Sequence, residues 1–175
     1  MRHRSLPVVV LVALLLAACG TTSPKADPKV PLPAGPLPST ISKMVCADEA
    51  QHDMAEVLGE KALVSTPTWV AHLYSCQYQY HTGEFGLSVK ELSSWSQTKA
   101  YFRMLGRQLG DTRTIGNLGQ GAFQTTDGSV VVRKDWKVLL VDISRLPNQF
   151  GVPPTSRAAV AVTVADVILG CWEGD

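Results

Sequence analysis

A Ser-x-x-Lys spacing at Ser96 and Lys99 is one of the arrangements in the chain that could do chemistry. A neutral lysine amine one helical turn from a serine hydroxyl can take its proton and make it a nucleophile. Enzymes built that way place a Lys-Thr-Gly-like strand after the serine. Here the nearest equivalent, His81-Thr82-Gly83, comes before it and no Ser-Asp-Asn element intervenes, so the match is accidental. Gly116, Gly119 and Gly121 in GNLGQG would cradle a phosphate only between a strand and a following helix. Residues 123–126 read as a strand, which makes these turn glycines. His72 and His81 are nine residues apart, an odd separation that sends strand side chains to opposite faces, so no shared metal is expected. His52 lies four residues from both Asp48 and Glu56, a surface charge pattern on a helix. No serine, threonine or cysteine has a recognisable base. No catalytic residue, metal or cofactor is assigned on these patterns.

Cysteine is more informative. Met1-Arg2-His3-Arg4 is followed by an apolar run from Leu6 to Leu16 that is shorter than the roughly 20 residues needed to span a bilayer, which describes a cleaved export signal over residues 1–18. The run ends in Leu16-Ala17-Ala18-Cys19-Gly20, the pattern of a bacterial lipobox. A thiol is the nucleophile that can form a thioether to diacylglycerol near neutral pH, so Cys19 is the expected lipidation site. Two or more acyl chains there would anchor the protein stably to the extracytoplasmic face of the cell membrane. Cys46, Cys76 and Cys171 then remain in an oxidising compartment, enough for one disulfide and a leftover thiol. Cys46–Cys76 is ranked first, as a staple from the first helix to the first strand, with Cys46–Cys171 close behind.

Three rows of side chains have the character of binding surfaces. Glu49, Asp53, Glu56 and Glu60 recur on one helical face, and Lys99, Arg103 and Arg107 recur on another. Such stripes most simply solubilise a helix; the basic one, aided by Arg113, would also attract anionic lipid or wall polymer. Tyr74, Tyr78 and Tyr80, with His72, form an aromatic row on the first long strand. Tyrosine suits either a half-wet core or a pocket, so if the chain binds a partner, this row beside the helix cations is the assigned contact surface.

The elements that must position these residues follow from periodicity. The chain has 175 residues, 16 basic and 15 acidic, with 45% apolar side chains, which excludes a disordered polymer and the concentrated basic surface that nucleic acid requires. Six of its 11 prolines fall in residues 20–40, so residues 19–40 read as a lipidated cysteine and an extended tether. Residues 41–175 are then a single globular domain. The spacing predicts a helix over 42–58, strands over 68–80 and around Phe85–Val89, a capping box at Ser94 and Gln97 that opens a helix ended by Gly110, three strands over 122–126, 129–134 and 137–144, the first pair joined by a two-residue Asp127-Gly128 turn, and a helix from about 155 to 169. That order, αββαβββα, describes an α+β two-layer domain: a mainly antiparallel sheet of about five strands with helices chiefly on one face.

The lipobox, the proline-rich tether, Cys46, Ser75-Cys76-Gln77-Tyr78, the hairpin from Val130 to Leu139 and the late apolar helix from Val164 to Trp172 together resemble a group of small actinobacterial secreted lipoproteins. In plan the domain is distantly similar to mycobacterial extracellular sensor-like lipoprotein domains, although those use two disulfides and this chain has cysteines for one. The resemblance implies location and fold and supplies no catalytic residue. The function expected is that of a membrane-anchored, non-enzymatic binding or protein-interaction module. Its partners are the membrane, through the lipid, and an envelope protein, anionic lipid or wall polymer. The alternative is a small envelope hydrolase assembled from loops around His72, Asp127 or Asp135 with a serine.

Overall fold

The computed structural model describes residues 31–172. The signal segment and Cys19 lie outside them. Four helices, α1 (Thr40–Met44), α2 (Asp48–Leu58), α3 (Trp95–Leu109) and α4 (Arg157–Cys171), accompany an eight-stranded antiparallel sheet. Its strands are β1 (Leu63–Val64), β2 (Thr68–Val70), β3 (Leu73–Tyr80), β4 (Gly83–Glu91), β5 (Asp111–Ile115), β6 (Ala122–Thr125), β7 (Val130–Lys134) and β8 (Lys137–Asp142). They are ordered β1-β3-β4-β8-β7-β6-β5, with β2 also paired to β3. A separate two-stranded ladder joins β9 (Gln149–Phe150) to β10 (Thr155–Ser156). The class is α+β as expected, but the main sheet has eight strands rather than about five. Two of the extra ones, β1 and β5, are short or polar edge segments with too few apolar alternations to register as strands, and the third, β2, is the front of the expected 68–80 strand folded back on the rest.

Alternation along the strands creates two cores. Phe85, Leu87, Val89, Val130, Val132, Leu139 and Val141 point to the face covered by α1, α2 and α4. Phe123, Val131 and Val138 point to the other face, where Leu105 of α3 meets them. The helices therefore lie chiefly on one side, while α3 adds a third layer over β6, β7 and β8. Helix α4 sits between the sheet and α2 and buries Val160, Ala161, Val164, Ala165, Ile168 and Leu169 over a broad arc, so it is apolar nearly all round. Helix α3 needs only one apolar stripe. Its ends are those its sequence specifies: Ser94 Oγ accepts from Gln97 N, Gln97 Oε1 accepts from Ser93 N, and Gly110 stops it in the left-handed region at φ 72°.

Three local departures share one cause, a backbone corner held by tertiary contacts. The helix expected over 42–58 breaks at residues 45–47, where Cys46 bonds to Cys76 of β3 and Val45 O accepts from Tyr78 Oη at 2.8 Å. The strand expected over 68–80 folds back on itself at Ala71 and His72, both left-handed at φ 50° and 59°. Val70 thereby pairs with Leu73 and turns to the side opposite Tyr74. The β6–β7 connection is a three-residue loop, residues 126–128, closed by Thr125 N to Ser129 O at 2.9 Å, one residue longer than the expected turn.

The largest revision concerns the tether. Residues 31–40, expected to be tether, belong to the same compact unit as the domain. Residues 31–39 lie along the domain: Ala34 N donates to Leu92 O at 3.2 Å, Trp69 Nε1 donates to Pro36 O at 2.9 Å, and Ser39 N donates to Glu91 Oε1 at 2.8 Å. Glu91 also accepts from Ser42 Oγ at 2.5 Å and faces Lys137 across the β4–β8 ladder, with both side chains buried. Burial opposes ionisation of Glu91, but the hydrogen bonds from Ser42 and Ser39, helped by the Lys137 charge, outweigh it and hold the carboxyl below the ordinary glutamate range.

Two outcomes are expected. Replacing Cys46 and Cys76 together by alanine frees a loop closed over a sequence separation of 30 and lowers unfolding free energy by about 3 kcal/mol in urea titration. Glu91 is held ionised more strongly in the folded than in the unfolded chain, so its contribution is present above an unfolded pKa of about 4.3 and disappears as pH falls through the lower folded value. Glu91→Gln therefore costs about 1 to 3 kcal/mol at pH 7 and flattens the fall of Tm with acid, read by calorimetry between pH 7 and 3.

Candidate functional site

Because β4 and β8 are neighbours, the sheet face that carries α3 is only partly covered. Helix α3 lies over β6, β7 and β8 and leaves the matching face of β3 and β4 open. Ser75 and Gln77 of β3, Ser88 and Lys90 of β4 and Leu140 and Asp142 of β8 share that face by register, and all six are half-buried. At one side Lys90 Nζ donates to Ala71 O and stands 5.9 Å from the Tyr101 ring of α3. At the other, Arg145 donates to Gln77 Oε1 at 3.0 Å and pairs with Glu84. Gly86 keeps the floor low, since a Cβ there would come within 3.1 Å of the Gln77 amide. The result is a shallow polar saddle beside a helix.

The outer surface of that helix is cationic. Lys99, Arg103 and Arg107 are exposed, α3 contains no Asp or Glu, and among the described residues none of the three has an ion-pair partner. Trp95 has two cations against its ring: Lys99 Nζ lies 5.3 Å from it and Arg133 of β7 lies 4.9 Å from it. Arg133 also sits 5.5 Å from Phe102, and its Nη1 is buried with no hydrogen-bond partner among the described residues. Aromatic faces stabilise these cations without neutralising them, so the positive charge stays available to a partner. Across the sheet α2 carries Asp48, Glu49, Asp53 and Glu56 and no lysine or arginine. The two stripes legible in the sequence thus belong to opposite faces of one domain.

This arrangement divides the expected contact surface. Lys99, Arg103 and Arg107 are where a partner could meet them, but the tyrosine row is not beside them. Tyr74, Tyr78 and Tyr80 point to the α4 side. Tyr78 is fully buried, stacked on Phe85 at 4.9 Å, and Tyr80 meets Phe85 at 5.7 Å and Phe150 at 4.8 Å. Burial pushes both phenols well above their ordinary range, so they stay protonated and pack as core groups. His72 occupies the β2–β3 turn, edge-on to Trp69 at 5.7 Å. Arg113 also leaves the cationic set, because it pairs in register with Gln124 and donates to its Oε1 at 2.9 Å on the α4 side. The residues considered for a hydrolase lie in three turns. His72 is exposed, Asp127 is engaged by Thr125 Oγ1 and Ser129 N in the β6–β7 loop, and Asp135 exchanges hydrogen bonds with Gln120 beyond the other end of β7.

Trp95, Arg133 and Lys90 belong to the surface and were not singled out from the sequence. The i, i+4 spacing of Trp95 and Lys99 carried a usable signal; Arg133 and Lys90 reach α3 only through sheet pairing. Among the described residues Cys171 is the free thiol, in a groove of about 410 Å³ between α2 and α4, with its Sγ 4.0 Å from Asp53 Oδ2. Among the described residues no three His, Cys, Asp or Glu side chains are grouped to hold a metal ion, and no helix is long and apolar enough to cross a membrane. No family model, no curated protein and no solved structure matches the chain.

Burial, then the Asp53 and Glu49 carboxylates, push the Cys171 thiol above its ordinary range. Its alkylation by iodoacetamide at pH 8 is expected to be slower than that of an unstructured thiol and to rise steeply at higher pH. Asp53→Asn speeds the reaction severalfold, measured by intact mass against time.

Proposed function

We propose that the protein is a lipid-anchored extracytoplasmic binding module, non-enzymatic, whose contact surface is the outer face of α3 with the adjoining polar saddle. Leu16-Ala17-Ala18-Cys19 supports the anchor, and the resemblance to small secreted lipoproteins supports the location. One feature carries the contact surface: a carboxylate-free helix with three exposed, unneutralised cations, held rigid by two capping hydrogen bonds and a second hydrophobic core. A surface so biased attracts polyanions and repels basic partners, and it raises encounter rates at low salt. Small polar side chains on the saddle permit close approach of a partner strand or polymer without adding an apolar patch.

Two measurements test the reading. Intact-mass analysis of the native protein is expected to show diacylglyceryl-modified Cys19 as the N-terminus, with Cys19→Ser moving the chain to the soluble fraction; an unmodified thiol in the native protein overturns the anchor. Binding of the full chain to purified anionic wall polymer, and separately to phosphatidylglycerol vesicles, is expected to weaken with salt for at least one probe. The triple variant Lys99→Ala, Arg103→Ala, Arg107→Ala loses on the order of 10- to 100-fold of that affinity. Equal binding by the variant removes α3 as the contact surface.

A further inference from the structure

We infer that residues 31–39 act as a strap that holds the domain with its α3 face against the anionic headgroups of the membrane bearing the anchor. The inference rests on the lipid-anchor reading and adds to it an orientation and a partner. The strap runs past Leu92, two residues before the Ser94 cap of α3, because Ala34 N is bonded to Leu92 O. Pro31 is three residues from Ala34, so it stands within roughly 10 Å of Ala34, which is bonded to the segment that leads into α3. Twelve residue steps separate Pro31 from Cys19, at most about 40 Å of extended chain. An undocked tether reaching Thr40 would span nearly twice that. Docking therefore shortens the leash and fixes which end of the domain it leaves.

Charge sets which side faces down. Helix α3 has three exposed cations and no carboxylate, whereas α2 on the opposite face has four carboxylates and no lysine or arginine. Near an anionic surface such a charge distribution turns its positive side inward. Leu32 and Leu37, 82% and 73% exposed, add apolar side chains to the surface of the strap. A cation near an anionic bilayer contributes roughly fivefold in affinity, so three give on the order of 100-fold once the lipid holds the domain nearby.

The test uses the full acylated chain on preformed vesicles, either neutral phosphatidylcholine or phosphatidylcholine with phosphatidylglycerol at one part in three, followed by hydrogen exchange. Amides of α3 and of the strap are expected to gain protection on the anionic vesicles only, with α2 unchanged. That protection should vanish in high salt and in Lys99→Glu, Arg103→Glu, Arg107→Glu, while Lys61→Glu, an exposed charge outside both helices, retains it. Salt acting on the unaltered protein gives the same answer should the triple variant misfold. Protection of α2 in place of α3, equal protection on neutral vesicles, or none on either overturns the inference. If α3 stays bare on vesicles but is protected by soluble wall polymer, the membrane orientation fails and the binding-module reading stands. If Cys19 carries no lipid, the anchor fails first and is seen by mass before any exchange is measured.

Discussion

The β4–β8 ladder is the contact on which the architecture depends. It pairs Gly86 with Asp142 and continues through Glu91 with Lys137, joining a hairpin from the first half of the chain to a meander from the second. Both flanks of this pairing are occupied: Val89 and Leu139 serve the α4 core, while Val138 and Leu140 serve the α3 core. Without it β3 and β4, with the short β1 and β2, would be cut off from the strands of the second half. With it, one continuous sheet separates two helical layers, and whatever sits on α2 or α3 is committed to one side of the molecule.

The same ladder ends in the polar knot that receives the N-terminal segment. Opposite Lys137, Glu91 is buried where an unpaired carboxylate would be costly, and the Ser39 amide and Ser42 hydroxyl make it tolerable. That requirement reaches outward to the chain preceding α1, so a proline-rich stretch with no apolar periodicity becomes part of the fold. A few tens of residues away the Cys46–Cys76 bond and the Tyr78 hydroxyl on Val45 O hold the α1–α2 corner against β3. Covalent and hydrogen-bonded fixings thus both act where chain direction changes and local propensity is weakest.

On the α3 face, rigidity and charge come from different layers. Leu105, Phe123, Val131 and Val138 hold the helix down, and Arg133 from the sheet and Lys99 from the helix both lie against the Trp95 ring. The cations are presented on a platform instead of a loop, and the saddle next to it carries Ser75, Gln77, Gly86 and Ser88 beside Lys90, Leu140 and Asp142. A flat, polar, positively biased surface of this kind suits an extended anionic partner better than a small molecule, which would need a deeper and more apolar enclosure.

Much of this was legible in one dimension. The capping box, the Gly110 stop, the β6, β7 and β8 runs and the apolar last helix follow from short-range rules, because caps, alternation and helical stripes involve neighbours a few residues apart, whereas Cys46–Cys76 was only the first-ranked of three possible pairings. The charge stripes on α2 and α3 were equally visible. Periodicity reports only that residues share a face of one element, not which side of the sheet that element will occupy. The partition of tyrosines from cations, the departure of Arg113 to the α4 side, the placing of Arg133 against Trp95 and the docking of residues 31–39 all depend on which strands and segments pair, over separations from eleven residues at Arg113–Gln124 to 52 at Ser39–Glu91. Local sequence thus determined the elements and their charges, and tertiary pairing alone decided what they would face, since a strand's register and neighbours are set by the total burial of two cores rather than by any residue within it.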